Sequence, residues 1–370
     1  MARRHTPALL VGTVLAAALM VVLAFCSGSG IHREAGGCPT GAGACVPSGS
    51  PAGSAPPSGA VGGDAAPGGS GSTGRSATAG AGSGSAAPTA NSAVPPAHCA
   101  GPGACGFPDA STTGARIPLT PHTTGALSIH ADGTVISGWD ITGSLDIYAN
   151  NVTVIDSRIT STNWWGINLR AGYSGLRVLH TTITAVPGKG QDNGGEDYAV
   201  SNMGGSSVEV GWSDISVFGD ALSMGQGYLH DNYVHDITPF KNLGGEWQHT
   251  DAVISDGGNS GTLVIRHNTL LNPVSADQGA SASIGLFADT GVVANSVVDD
   301  NWLAGGAYAL YGGNTGARGI QVTGNVFSPQ YHSSCGVYGT VTAWNTGGAG
   351  NVWRNNRMQD GTPVNPGPAS

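Results

Sequence analysis

Lysine is nearly missing from this sequence: Lys189 and Lys241 are the two that 370 residues hold. Charged residues of all kinds make up 10%, and the formal net charge is −9. So thin and acidic a charge set excludes nucleic acid and an anionic membrane face as partners, since both need a basic patch. Aromatic residues are scarce too, at 6%, and residues 27–97 contain no Phe, Trp or Tyr. That segment is Gly, Ala, Ser, Pro and Thr almost throughout. It cannot bury enough apolar surface to offset its chain entropy. A disordered linker is expected there, with a random-coil reach of about 40–50 Å. Also missing is any long stretch with apolar residues at a period of 3.6, which argues against a helical protein. The 62 glycines have no G-X-Y period, which excludes collagen.

What is present begins with an export segment, residues 1–26. Arg3 and Arg4 precede an uncharged, almost wholly apolar run over residues 8–25. The run is long for a cleaved signal peptide and short for a full span, so signal peptide and signal-anchor both remain open. Leu23-Ala24-Phe25-Cys26 resembles a lipobox, with bulky Phe25 where a small residue is expected. Each reading puts the rest of the chain outside the cell, secreted or tethered to the outer face of the membrane. A membrane contact is expected through this segment alone. The exported chain has six cysteines, which invite disulfides. Cys38 can pair with Cys45 and Cys99 with Cys105, while either of the latter two can instead reach Cys335.

One pattern recurs eight times between residues 154 and 358: an apolar residue, a small polar residue three places on, and another apolar residue two places after that. Its first instances are Val154-Ser157-Ile159, Val178-Thr181-Ile183 and Val210-Ser213-Ile215. Leu229-Asn232-Val234, Ile265-Asn268-Leu270 and Val298-Asn301-Leu303 follow, then Val322-Asn325-Phe327 and Trp353-Asn356-Met358. Apolar positions two apart face one side of a strand. A stacked polar residue at the bend between strands can bond its neighbours above and below. Each repeat buries its apolar face only by stacking on the next. The expected fold is therefore all-β, a single-stranded right-handed parallel β-helix of at least eight coils over residues 98–360, with a tail at 361–370. The polar positions lie 19 to 36 residues apart. The excess must leave the stack as loops, at about 187–196, 238–249, 272–282 and 330–336, and these are the expected rim of a groove.

Certain segments add a resemblance. They are His98-Cys99, Asn151-Val-Thr-Val-Ile-Asp-Ser-Arg-Ile159, His249-Thr-Asp-Ala-Val253, Val264-Ile-Arg-His-Asn-Thr-Leu-Leu-Asn-Pro273 and Leu303-Ala-Gly-Gly-Ala-Tyr-Ala-Leu-Tyr-Gly-Gly313. With them the chain resembles the pectate-lyase-like superfamily, and more narrowly the secreted β-helix repeat proteins of high-GC Gram-positive bacteria. The resemblance implies export and the β-helix, and glycan chemistry by analogy. Similar proteins usually carry Gly after the Asp of the His-x-Asp motif, whereas this chain has Ala252.

Aligning the coils brings Asp197, Asp220 and Asp251 into one expected column, as the first residues of Asp197-Tyr-Ala-Val200, Asp220-Ala-Leu-Ser223 and Asp251-Ala-Val-Ile254. Carboxylates so close cannot all ionise freely, and one becomes a general acid suited to glycoside hydrolysis. Asp220 and Asp251 are the expected catalytic pair. His249, two residues before Asp251 on an extended segment, is expected to face the same side and tune it. Polygalacturonase-type β-helix enzymes are similar in placing paired aspartates on neighbouring coils. Asp197, Trp164, Trp165, Trp247, Tyr311 and Lys241 are candidate substrate contacts, the aromatics by stacking on sugar rings. Asp192, Glu196 and Asp197 form an oxygen-rich stretch that could hold calcium. His267, His230 and His235 adjoin the bend column and are expected to be structural.

From residue 99 onward the chain has 21 acids against 10 Lys and Arg. That field repels a polyanionic glycan, so hydrolysis of a neutral one is favoured over β-elimination. The expectation is an extracellular, monomeric, carbohydrate-active protein acting on a polysaccharide or cell-wall glycan, a hydrolase or lyase. The alternative is a non-catalytic glycan-binding or envelope surface protein.

Overall fold

A computed structural model of the chain describes residues 99–366, apart from 191, 192 and 204. The export segment, the linker, His98, Cys38, Cys45 and Asp192 lie outside the described residues. Among the described residues the chain is all-β, its helical content being two single turns, Gly103–Cys105 and Ala276–Gln278. Among the described residues no helix is long and apolar enough to cross a membrane.

The strands form two sheets, one of nine strands and one of seventeen. From Thr153 onward each strand pairs in parallel with the strand three places later, so the chain lays down three columns. The first column runs from Val135–Ser137 to Val352–Arg354 and is the nine-stranded sheet. The other two share an origin in the strand Trp139–Ile147. The first half of that strand pairs with Arg158–Ser161 and its second half with Trp165–Leu169. One unbroken strand thus joins two columns into the larger sheet. This architecture of parallel strands in stacked sheets is compatible with a β-helix solenoid.

The repeat seen in the sequence is the corner between the first and second columns. Its apolar members face inward: Val154, Val178, Val210, Leu229, Ile265, Val298 and Val322 are all fully buried. So are their partners two places past the corner, from Ile159 to Phe327. From Thr181 onward the polar column is a continuous ladder. Asn232 Nδ2 donates to Asn268 Oδ1 at 2.9 Å, Asn268 to Asn301 at 3.0 Å, Asn301 to Asn325 at 2.9 Å and Asn325 to Asn356 at 2.9 Å. The backbone N–H of each donor residue bonds the same oxygen, for instance Asn232 N to Asn268 Oδ1 at 3.0 Å. Seven of the eight residues immediately before the ladder are non-glycine and left-handed: Asp156, His180, Trp212, Asp231, His267, Asp300 and Asn355, with φ between 46° and 57°. Gly324 takes the eighth place with φ 70°. Such a conformation costs roughly 1–2 kcal/mol per L-residue. It persists because it makes the turn that delivers each Asn into the ladder.

Before entering the stack, residues 99–118 run along its outside as a strap, from the last repeat back to the first. Gln359 Nε2 donates to Cys99 O at 2.8 Å, and Cys99 is disulfide-bonded to Cys105. Phe107 stacks on His267 with ring centres 5.5 Å apart, and Thr269 Oγ1 donates to Pro108 O at 2.6 Å. Further down, Gly114 N donates to Trp212 O at 2.8 Å, and Arg116 forms a two-pronged ion pair with Asp156 at 2.7 and 2.8 Å. Cys335 remains a free, buried thiol, so the pairing of Cys99 or Cys105 with it does not occur. At the other end, residues expected to be tail fold back. Val364 N donates to Asn356 O at 2.9 Å, and Trp353 Nε1 donates to Val364 O at 2.7 Å.

Candidate functional site

The site lies at the start of two neighbouring strands of the third column, Asp220–Ser223 and Thr250–Ser255. Asp220 and Asp251 are directly paired, as are Leu222 and Val253 two residues on. The aliphatic side chains fix this register, because Ile167, Val200, Leu222, Val253 and Ile284 stack as fully buried neighbours. Hydrophobic register thereby places the two carboxylates side by side. Beyond Asp251 the pairing slips, with Thr250 opposite Ala280 but Asp251 opposite Ala282. The extra residue, Ser281, makes a bulge beside Asp251, a device that re-aims side chains.

His249 immediately precedes this strand and closes the cluster. Its Nδ1 lies 3.0 Å from Asp220 Oδ2 and 3.6 Å from Asp251 Oδ2. One donor atom from each of the three residues lies within 4.8 Å of the others. Exposure divides them: the His249 side chain is 54% exposed, while both aspartates are at 0%. The donors that face the four aspartate oxygens are His249, for both residues, and Ser281, for Asp251.

The electrostatics follow from that burial. Burial pushes the Asp251 carboxyl up to about 7, with the Asp220 charge adding to the rise and His249 opposing it. The Asp220 charge holds the His249 imidazole well above its ordinary value, against the effect of burial. Asp197, also fully buried, is raised well above the carboxylate range by burial and then by Asp220.

Asp197 does not take the expected place in the column. Val200 pairs with Leu222, so Tyr198, two residues before Val200, stands where Asp220 stands before Leu222. The need to seat Val200 in the aliphatic stack moves Asp197 one residue out of register. It remains next to the pair, with Oδ2 accepting from Gln248 Nε2 at 3.4 Å and Oδ1 unpartnered.

The other candidates disperse. Trp164 meets Tyr198 and Phe240 edge-on, at 6.1 and 5.5 Å. Trp165 is covered by the Arg170 guanidinium, 4.6 Å from its ring centre. Lys241 and Trp247 form a bridge of their own, with Nζ 5.1 Å from the indole, and Tyr311 packs on Phe287 at 5.0 Å. Glu196 binds its own loop, its Oε1 accepting from the backbone N–H of Lys189 and Gly190, both at 2.8 Å. Among the described residues, the cluster with metal-binding spacing is Asp220, His249 and Asp251 rather than Glu196 and Asp197.

Sequence reasoning passed over Phe240, Gln248 and Ser281. Phe240 packs where side chains on Gly195 and Gly219 would stand, and the Gly219 position also faces Asp197 Oδ1. Two glycines spaced to admit one aromatic ring were the available signal. A polar cleft of about 190 Å³ opens further along the same strands, lined by Asn202, Ser223, Ser255, Asp256 and Thr290 among others. His267, His230 and His235 are bound to structural carboxylates. His267 Nδ1 lies 2.6 Å from Asp231, His230 Nδ1 2.8 Å from the same residue, and His235 Nε2 2.9 Å from Asp214. Compared with family models, curated proteins and solved structures, the chain matches none.

Proposed function

We propose that this is an extracellular carbohydrate-active protein whose reactive centre is Asp220, His249 and Asp251. The observation that carries the reading is the juxtaposition itself: two register-paired, fully buried carboxylates closed by one half-exposed imidazole. Cleaving a glycosidic linkage requires positive charge delivered to its oxygen, as a proton or as a bound cation. The cluster is built to hold such charge. The cleft further along the same strands, whose polar lining residues carry hydroxyl, amide and carboxylate groups and no basic side chain, suits a neutral sugar. The acidic balance of the chain supports the same substrate class. The finer fold belongs to the proposal as well. The three columns close into a single-stranded right-handed β-helix of at least eight coils, the hand that parallel connections overwhelmingly adopt. The Cys99–Cys105 disulfide suits an oxidising location outside the cytoplasm.

The test is incubation of the full chain with a panel of polysaccharides, followed for new reducing ends and unsaturated products. Turnover is expected on a neutral glycan, and Asp251→Asn, folded by circular dichroism, is expected to lower it about 100-fold or more. Turnover unchanged in that variant would overturn the assignment of the centre. The complete burial of Asp220 and Asp251 favours a second reading, a groove that holds glycan without cleaving it. Saturable binding with no product would establish that reading.

A further inference from the structure

Six acidic side chains are buried among the described residues, and they divide evenly. Asp146 is paired with Arg170 at 2.8 Å, Asp156 with Arg116 at 2.7 Å, and Glu196 with two backbone N–H groups. Asp197, Asp220 and Asp251 are neighbours with no arginine partner, faced by His249, Gln248, Tyr198 and Ser281 in geometry that leaves five of their oxygens poorly satisfied. A buried carboxylate without a donor costs several kcal/mol unless a cation or proton meets it. One imidazole nitrogen cannot serve five such oxygens. His249 is the one nearby cationic group for three carboxyl groups, so the arrangement has a place for a further positive charge at one defined point.

From this geometry we propose that Asp220, His249 and Asp251 bind one divalent first-row transition-metal ion of the zinc type. The inference rests on the reading of these residues as the reactive centre and supplies the cation that reading calls for. Donors around a four-coordinate zinc, at bond lengths of about 2.0–2.1 Å, stand about 3.3–3.4 Å apart. The two separations from His249 Nδ1 are 3.0 and 3.6 Å, which bracket that value. The donor set selects the ion. Calcium takes six to eight oxygens at about 2.3–2.6 Å, whereas an imidazole with two carboxylates suits zinc and its first-row neighbours. Three protein ligands leave a coordination position open, as catalytic zinc sites do. The exposed His249 side is the path by which an ion or a sugar oxygen arrives. Asp197 is a neighbour of Asp220 but lies outside the three donors. This site differs from the oxygen-rich loop near Glu196, whose carboxylate is already bound to backbone.

The experiment uses the full chain, stripped with a chelator, dialysed against zinc chloride and analysed for metal by emission spectroscopy. One tightly held zinc per chain is expected, with no calcium retained at the same concentration. His249→Ala replaces an exposed residue ahead of a strand and should fold normally. It and Asp251→Asn are each expected to weaken zinc binding more than about 100-fold, beyond the loss of about 10–100-fold typical of an outer-shell change. Asp197→Asn is expected to fall within that smaller range. Zinc should also raise the melting temperature of the parent chain and of neither ligand variant. No stoichiometric uptake would overturn the proposal. So would zinc held equally by both ligand variants, which would put the metal on other residues such as the cysteines near the N-terminus. Zinc uptake without glycan binding or turnover would keep the metal centre and overturn the carbohydrate reading. Glycan turnover by a chain that takes up no metal would do the reverse.

Discussion

Asn268 shows how much one side chain does in this molecule. It accepts from the backbone N–H and Nδ2 of Asn232 and donates to Leu229 O, Arg266 O and Asn301 Oδ1, all at 2.9–3.0 Å and all but the Arg266 bond fully buried. Asn268→Ala leaves several of these groups without partners, at about 1–3 kcal/mol each. A loss of about 3 kcal/mol or more is expected in equilibrium urea unfolding, against about 1 kcal/mol for Ser157→Ala at the start of the column. Equal losses at the two positions would show that the ladder carries no special weight. The ladder was legible in the sequence because the polar residue type and its apolar flanks repeat. The left-handed residues before it were not, since Asp, His, Trp, Asn and Gly share no side-chain property. Ala252 carries a related lesson. It is fully buried and absent from the positive-φ residues, so its methyl group packs in the core where a Gly would add freedom without use.

The strap over residues 99–118 is held by side chains at a few points. Phe107 is 3% exposed and packs against His267 and Trp302. Phe107→Ala is expected to cost about 3–5 kcal/mol of strap docking, read as faster proteolysis within residues 99–118. Protease resistance equal to that of the parent chain would refute it. The strap is also pH-sensitive through His267, whose Nε2 donates to Gly106 O at 3.1 Å. The Asp231 carboxylate raises the His267 pKa above its ordinary value, against burial. Burial tends to raise Asp231, but hydrogen bonds from His230 and His267 outweigh it and bring Asp231 to about 2. A raised histidine gives stability that is complete below its unfolded value, about 6.5, and lost as pH rises through the folded value. A depressed aspartate gives stability present above about 3.9 and lost as pH falls towards 2. Amide-exchange protection of the strap should therefore be greatest between about pH 4 and 6.5, and His267→Ala should flatten the profile. Protection that increases from pH 6 to 8 would count against the His267–Asp231 pair as its source. The strap was invisible in sequence because its partners lie up to 260 positions away, as with Cys99 and Gln359.

For the whole molecule, each repeat is a partner for the next, and interior groups are reached only by opening the stack. Cys335 reports on this. It is fully buried, its Sγ donates to Leu303 O at 3.3 Å, and burial pushes its thiol up to about 12. Alkylation of the Cys335 peptide, followed by mass spectrometry at pH 8, should be slowed about a thousandfold or more relative to the unfolded chain. The rate should rise with urea in step with the loss of β-sheet signal. Fast labelling of Cys335 in the folded protein would mean that this end of the stack opens independently.

The sequence by itself determined the all-β character, the inward apolar positions, the Asn column and the pairing of Asp220 with Asp251. All of these follow from a short-range rule, alternation on a strand repeated coil after coil, so local spacing is enough to read them. Tertiary structure alone decided which acids meet. Asp197 was displaced from its expected column because Val200 had to join Leu222 and Val253 in the interior, and packing outweighs the position of a surface-type residue. It also decided that Glu196 is bound by its own loop, and that His249 closes over two buried carboxylates. Those outcomes depend on how far each loop travels before it returns to the stack, and no local pattern encodes that distance.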